Sequence, residues 1–155
     1  MIRLIYYVRA FVVSVELLLL GLSLALFNIF HGYFEANFLA ISFDEEAVRW
    51  AAVLPVGVAV WTFKEGVGVI FPDEKTSKSL HEWPDYWKLK VHFDIGIFNN
   101  FFYLLPCFVV WFTGALDSVE GAWVFVTFFG ALLVNAFSFY KAKIVIRSLL
   151  LRVNV

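Results

Sequence analysis

Lys64 and Glu65 interrupt an apolar run that begins near Trp50 and continues to Phe71, a setting in which an ammonium and a carboxylate need partners or water. Glu16 interrupts a second apolar run, and Asn99, Asn100 and Asn135 place amides in two more. Carboxylate, ammonium and amide groups at bilayer depth can hydrogen-bond a polar solute or replace part of an ion's hydration shell, which is how translocation paths are lined. The competing reading is structural: interhelical hydrogen bonds and a Lys–Glu pair that fix helix register, with Lys64 snorkelling toward the headgroups. His92 and Asp94 lie just ahead of Asn99, where they would form the mouth of such a path. Glu16 and Lys64 are the expected partners across the layer.

Other chemistry finds little support. No nucleophile elbow, phosphate loop or paired-acid spacing occurs, and the one further polar cluster, His81, Glu82 and Asp85, is a weak basis for catalysis. A non-enzyme is expected. The single cysteine, Cys107, excludes a disulfide framework, a paired-thiol redox motif and a cysteine metal site. No two of His31, His81 and His92 have the helical spacing of a metal or two-histidine haem site, so no metal or other cofactor is expected.

Four apolar blocks must position these groups, at residues 11–30, 47–71, 95–114 and 122–140. Each approaches the ~20 residues that a helix needs to cross ~30 Å of hydrocarbon. None shows the two-residue alternation of a barrel strand, and backbone groups in lipid must pair internally. The expected fold class is therefore an all-α integral membrane protein, a four-transmembrane-helix bundle forming one domain over residues 1–155. Of the 155 residues 62% are hydrophobic and 16% charged, which excludes a soluble domain of ordinary composition. The net charge of −1, without a basic face, disfavours nucleic acid as a partner. The lipid bilayer is the expected partner.

Loop charges orient the spans. Arg3 and Arg9, the loop of residues 72–90 with Lys75, Lys78, Lys88 and Lys90, and the terminal Lys141, Lys143, Arg147 and Arg152 mark one side as cytoplasmic. Glu35, Asp44, Glu45 and Glu46, then Asp117 and Glu120, mark the other side. Both termini are expected in the cytoplasm. Arg3 and Arg9 ahead of an apolar run resemble the start of a signal peptide, but the run is long enough to span, which makes it a retained anchor. A bacterial inner membrane is the expected location. In this orientation Glu16, Lys64, Glu65, Asn99, Asn100 and Asn135 share a depth of roughly 8 to 13 Å from the cytoplasmic ends at ~1.5 Å per residue.

Packing signals complete the reading. The first helix carries Ser14, Gly21, Ala25, Asn28 and Gly32 on one face, and the fourth carries Thr127, Ala131, Ser138 and Ala142, small residues that let helices approach closely in lipid. Two such faces point to a homo-oligomer. Gly114, Asp117, Ser118 and Gly121 form a tight turn that makes the third and fourth helices an antiparallel hairpin, and Pro84 belongs to the first turn of a helix running into the third span. Trp83, Trp87, Lys88 and Lys90 mix aromatic and basic character as a membrane interface or a protein-binding loop does. Two functions follow from these residues: a channel-like homo-oligomer, or a non-catalytic anchor or accessory subunit that recruits a soluble cytoplasmic partner. The outline of short tails, four spans and a basic loop is similar to that of many small bacterial membrane proteins, including some encoded beside phage-exclusion and antiviral defence systems. That similarity is one of hydropathy and implies no residue roles.

Overall fold

The computed structural model describes residues 5–7, 9, 11, 14–38, 45–70 and 83–153. Among these, every regular element is helical: α1 (Val15–Phe38), α2 (Glu45–Ala51), α3 (Val53–Ile70), α4 (Tyr86–Phe112), a 3-10 turn (Ala115–Asp117) and α5 (Val119–Val153). Ile5–Tyr7, Arg9 and Phe11 are helical as well. Four helices, α1, α3, α4 and α5, are long and apolar enough to cross a membrane.

The boundaries differ from the apolar blocks for local reasons. The second block breaks at Ala52 because Pro55 cannot donate a backbone hydrogen bond and its ring collides with the carbonyl four residues back, that of Ala51. Ending α2 at Ala51 and restarting at Val53 leaves Pro55 in a first turn, where a missing N–H costs nothing. Pro84 precedes α4 in a turn closed by Tyr86 N–H donating to Trp83 O at 3.0 Å, so residues 86–90, read as loop, are helix. Residues 71–82, which include His81 and Glu82, lie outside the described residues. α5 runs 35 residues because nothing from Lys141 to Val153 stops a helix. The basic C-terminal stretch is therefore helix in its described part, and Lys143 points back into the bundle.

α5 is the central element, packing on α1, α3 and α4, whereas α1 meets chiefly α5. Within the four helices, α3, α4 and α5 pack on one another and α1 is laid along α5. Tyr103, Cys107, Val110, Leu116, Phe125, Ala131 and Leu132 form the core between α4, the 3-10 turn and α5.

The small-residue face of α1 is not its packed face. A methyl group added at Gly21 would meet nothing within 4 Å, and Ala25, Asn28 and Gly32 are exposed. Asn28 donates back to the Leu24 carbonyl at 2.8 Å. The seam against α5 instead uses Ser23, Phe27, His31 and Phe34, which recur at helical spacing about 200° from Gly21 and Ala25. Ser23 Oγ and Thr127 Oγ1 lie 2.6 Å apart, Phe34 stacks on Trp123 at 4.5 Å, and His31 Nε2 is 3.4 Å from Glu120. These contacts carry the helix through a break at Phe30 (φ −111°, ψ 16°) into residues expected to be loop. On α5, Thr127 and the fully buried Ala131 do pack, while Ser138 donates to its own helix at Val134 O.

Candidate functional site

Ser14 starts the site. Its Oγ accepts the Leu17 N–H at 3.2 Å, the N-cap geometry that begins α1, so Ser14 is a cap rather than a packing residue. The cap places Glu16 in the first helical turn, and the side chain turns inward with only 6% of the residue exposed. Opposite it, α4 presents His92, Gly96, Asn99 and Tyr103 at intervals of four, three and four residues, one stripe of a helix. Asn135 Nδ2 donates to the Gly96 carbonyl at 2.9 Å, which fixes that amide across the hairpin. Gly96 is needed there, because a Cβ would sit 2.5 Å from the ring of Phe139.

These elements enclose a cavity of about 240 Å³ whose polar lining is Ser14, Glu16, His92, Asn99, Asn135 and Ser138. Asn99 is 2% exposed and its Oδ1 accepts no hydrogen bond. Tyr103 is fully buried; its hydroxyl lies near Ser14 and within electrostatic range of Glu16, without a direct hydrogen bond. Tyr103 itself belongs to the apolar core between α4, the 3-10 turn and α5.

Glu16 forms no ion pair among the described residues. The N-terminal amides of α1 offset about 0.3–1 kcal/mol of its charge. Withdrawing a carboxylate from water costs several kcal/mol, so the helix terminus alone does not balance it. Two of the lining donors are engaged, an Asn135 N–H on the Gly96 carbonyl and the Ser138 hydroxyl on Val134, while the Glu16 carboxylate brings acceptors only. The arrangement is suited to holding a positively charged or hydrogen-donating species.

The expected Glu16–Lys64 pair is not formed. Successive helical residues point ~100° apart, so Lys64 and Glu65 cannot face the same neighbour. Lys64 is exposed, while Glu65 faces α5 and accepts from Lys143 Nζ at 2.7 Å. Asn100 faces α3, away from the cavity, where its Nδ2 donates to Ala59 O at 3.1 Å. The layer is therefore three separate devices: the cavity on Glu16, Asn99 and Asn135, the Glu65–Lys143 pair, and the Asn100 bridge.

At the mouth, the N-terminal segment lies along α4. The hydroxyl of Tyr6 is 3.0 Å from His92 Nε2, and Tyr7 donates to Asp94 Oδ2 at 2.9 Å. The ring of Tyr6 meets the edge of Trp87 at 5.2 Å, and Lys88 pairs with Asp85 at 2.7 Å. Trp83 and Lys90 remain exposed. A second, apolar cavity of about 380 Å³ lies beside the segment, lined by Tyr7, Phe11, Asp94, Ile95 and Phe98.

Sequence reasoning passed over Lys143, Tyr6, Tyr7 and Tyr103. For Tyr103 the signal existed, since it falls four residues after Asn99 on the His92 stripe. Lys143 stood in a basic stretch whose charges explained themselves as an orientation signal. Among the described residues, no group of three or more His, Cys, Asp or Glu is placed to hold a metal ion. No family model matches the chain, and no curated protein or solved structure resembles it closely enough to establish kinship.

Proposed function

We propose that this chain is a channel-like protein of a bacterial inner membrane, acting as a homo-oligomer, in which the cavity on Glu16, Asn99 and Asn135 is the cytoplasmic vestibule of an ion or small-solute path. The observation that carries the reading is Glu16 itself: a carboxylate 6% exposed, without an ion-pair partner among the described residues, facing a cavity lined by amides. Carboxylates are kept at such depth chiefly where they serve a path or a relay. In this reading the path continues between copies of the chain.

Purified protein in liposomes tests this. Wild type is expected to pass a monovalent cation, and Glu16→Gln to reduce the flux about tenfold or more, while Lys64→Met leaves it unchanged. Silent wild-type liposomes, or full flux through Glu16→Gln, would reject the path.

Orientation is tested by labelling. In a Cys107→Ala background, Ser118→Cys is expected to react with an impermeant maleimide added outside intact cells, and Ser79→Cys only after lysis. The reverse pattern would turn the vestibule to the outside.

A second reading rests on the exposed Trp83 and Lys90 ahead of α4. An anchor or accessory subunit, in a phage-exclusion or defence system for instance, would be silent in liposomes and would lose its soluble partner on Trp83→Ala.

A further inference from the structure

We infer that the cavity between the start of α1, α4 and α5 is a binding site for one monovalent alkali cation, held by the Glu16 carboxylate and the side-chain oxygens of Asn99 and Asn135. The inference rests on reading this cavity as a vestibule, but it concerns binding and is tested apart from flux. Asn99 Oδ1 is the independent indication. It belongs to a residue 2% exposed that lines the cavity, and it accepts no hydrogen bond; Asn99 and Asn100 both bury an amide oxygen in this way among the described residues, and of the two Asn99 alone lines the cavity. Asn135 is oriented by its own donor: with Nδ2 held on the Gly96 carbonyl, its Oδ1 remains as an acceptor.

The donor set selects the ligand. Carboxylate and amide oxygens suit hard cations, and no thiolate is present, because Cys107 lies in the apolar core. His92 is held at the mouth by Tyr6 rather than aimed inward as a free ligand. One carboxylate balances one positive charge. A divalent ion would keep a net charge in an apolar setting, because the neighbouring carboxylates are engaged elsewhere, Asp94 by Tyr7 and Glu65 by Lys143. A volume of about 240 Å³ holds an alkali ion with several waters, each taking about 30 Å³.

Thermal unfolding of the full chain in mild detergent tests the site. Sodium chloride or potassium chloride is titrated against choline chloride at constant ionic strength. The expected result is a saturable rise in the wild-type melting temperature with sodium or potassium and none with choline. Glu16→Gln should abolish the saturable rise, and Asn99→Ala should raise the half-saturating concentration about tenfold. Radioactive sodium binding to wild-type protein gives a second measurement that needs no variant to fold. Equal curves in sodium, potassium and choline would overturn the inference, as would the absence of saturable sodium binding to the wild-type protein. Saturable binding in protein that is silent in liposomes would reject the vestibule and keep the site. Flux without saturable binding would do the opposite.

Discussion

Lys143→Met is expected to destabilise the protein more than the double change Glu65→Gln with Lys143→Met. Lys143 Nζ reaches Glu65 at 2.7 Å with the two side chains 22% and 11% exposed, so the pair is mostly withdrawn from water. Removing the lysine strands a carboxylate on α3 against α5. Breaking a buried pair costs about 3–5 kcal/mol, and partial exposure lowers the expected loss here to about 2–4 kcal/mol. Methionine keeps the length of the lysine stem, whose Cε would lie 3.1 Å from a Cβ at Gly68, so lost packing contributes little. Removing both charges leaves two neutral side chains of similar size, and the double variant should recover most of the loss. Lys64→Met, one residue away and exposed, should change stability by no more than about 0.5 kcal/mol. A double-mutant cycle on unfolding in mixed micelles measures the coupling. Additive losses from Glu65 and Lys143, or a loss from Lys64 as large as either, would show that the pair does not tie α3 to α5.

The contrast between Lys64 and Glu65 shows where sequence reasoning reaches its limit. That one of two adjacent ionisable residues faces the protein follows from helical geometry; which one depends on the neighbour. Here the neighbour is α5, continued past the apolar block that ended at Tyr140. The four long helices were legible because hydrocarbon thickness and backbone pairing leave few alternatives for blocks of that length. The common level of Asn99 and Asn135 was legible too, since a short turn fixes the register of α4 on α5 and the two residues stand at similar distances from it. Glu16 reaches the same cavity although no short loop joins α1 to either helix. The face α1 would present was not legible. Gly21, Ala25 and Gly32 recur at helical spacing as regularly as Ser23, Phe27 and Phe34, and only Thr127 and Trp123 on α5 decide between them.

The α4–α5 turn also carries the site. Gly114, at φ 69°, ends α4 in the left-handed conformation that glycine adopts without penalty, and residues 115–117 fold back as a single 3-10 turn. Ser118 then opens α5: its Oγ accepts the Gly121 N–H at 3.1 Å and its carbonyl accepts the Ala122 N–H at 2.9 Å. Folding back this tightly brings the Ala115 carbonyl against the Cα of Gly121.

Gly121→Ala is therefore expected to cost about 3 kcal/mol, the upper part of the range for overpacking, because the obstacle is backbone. The new Cβ would overlap the Ala115 carbonyl oxygen and lie 2.5 Å from its carbon. That oxygen is held by the Ser118 N–H at 3.1 Å and the Ser118 hydroxyl at 2.8 Å, so it can withdraw only by opening the turn. Gly130→Ala is the control. It lies in the same helix with nothing within 4 Å of a new Cβ, and alanine's better helix propensity should leave stability unchanged or raise it by up to about 1 kcal/mol. Opening the turn should also disturb the Asn135–Gly96 hydrogen bond, which is 14 residues from Gly121, or ~21 Å along α5 at ~1.5 Å per residue. Gly121→Ala should thus weaken the sodium- or potassium-dependent rise in melting temperature, whereas Gly130→Ala should keep it. Equal stabilities for the two variants would mean that the turn does not hold Ala115 against α5, and that the register placing Asn99 beside Asn135 comes from the helix faces alone.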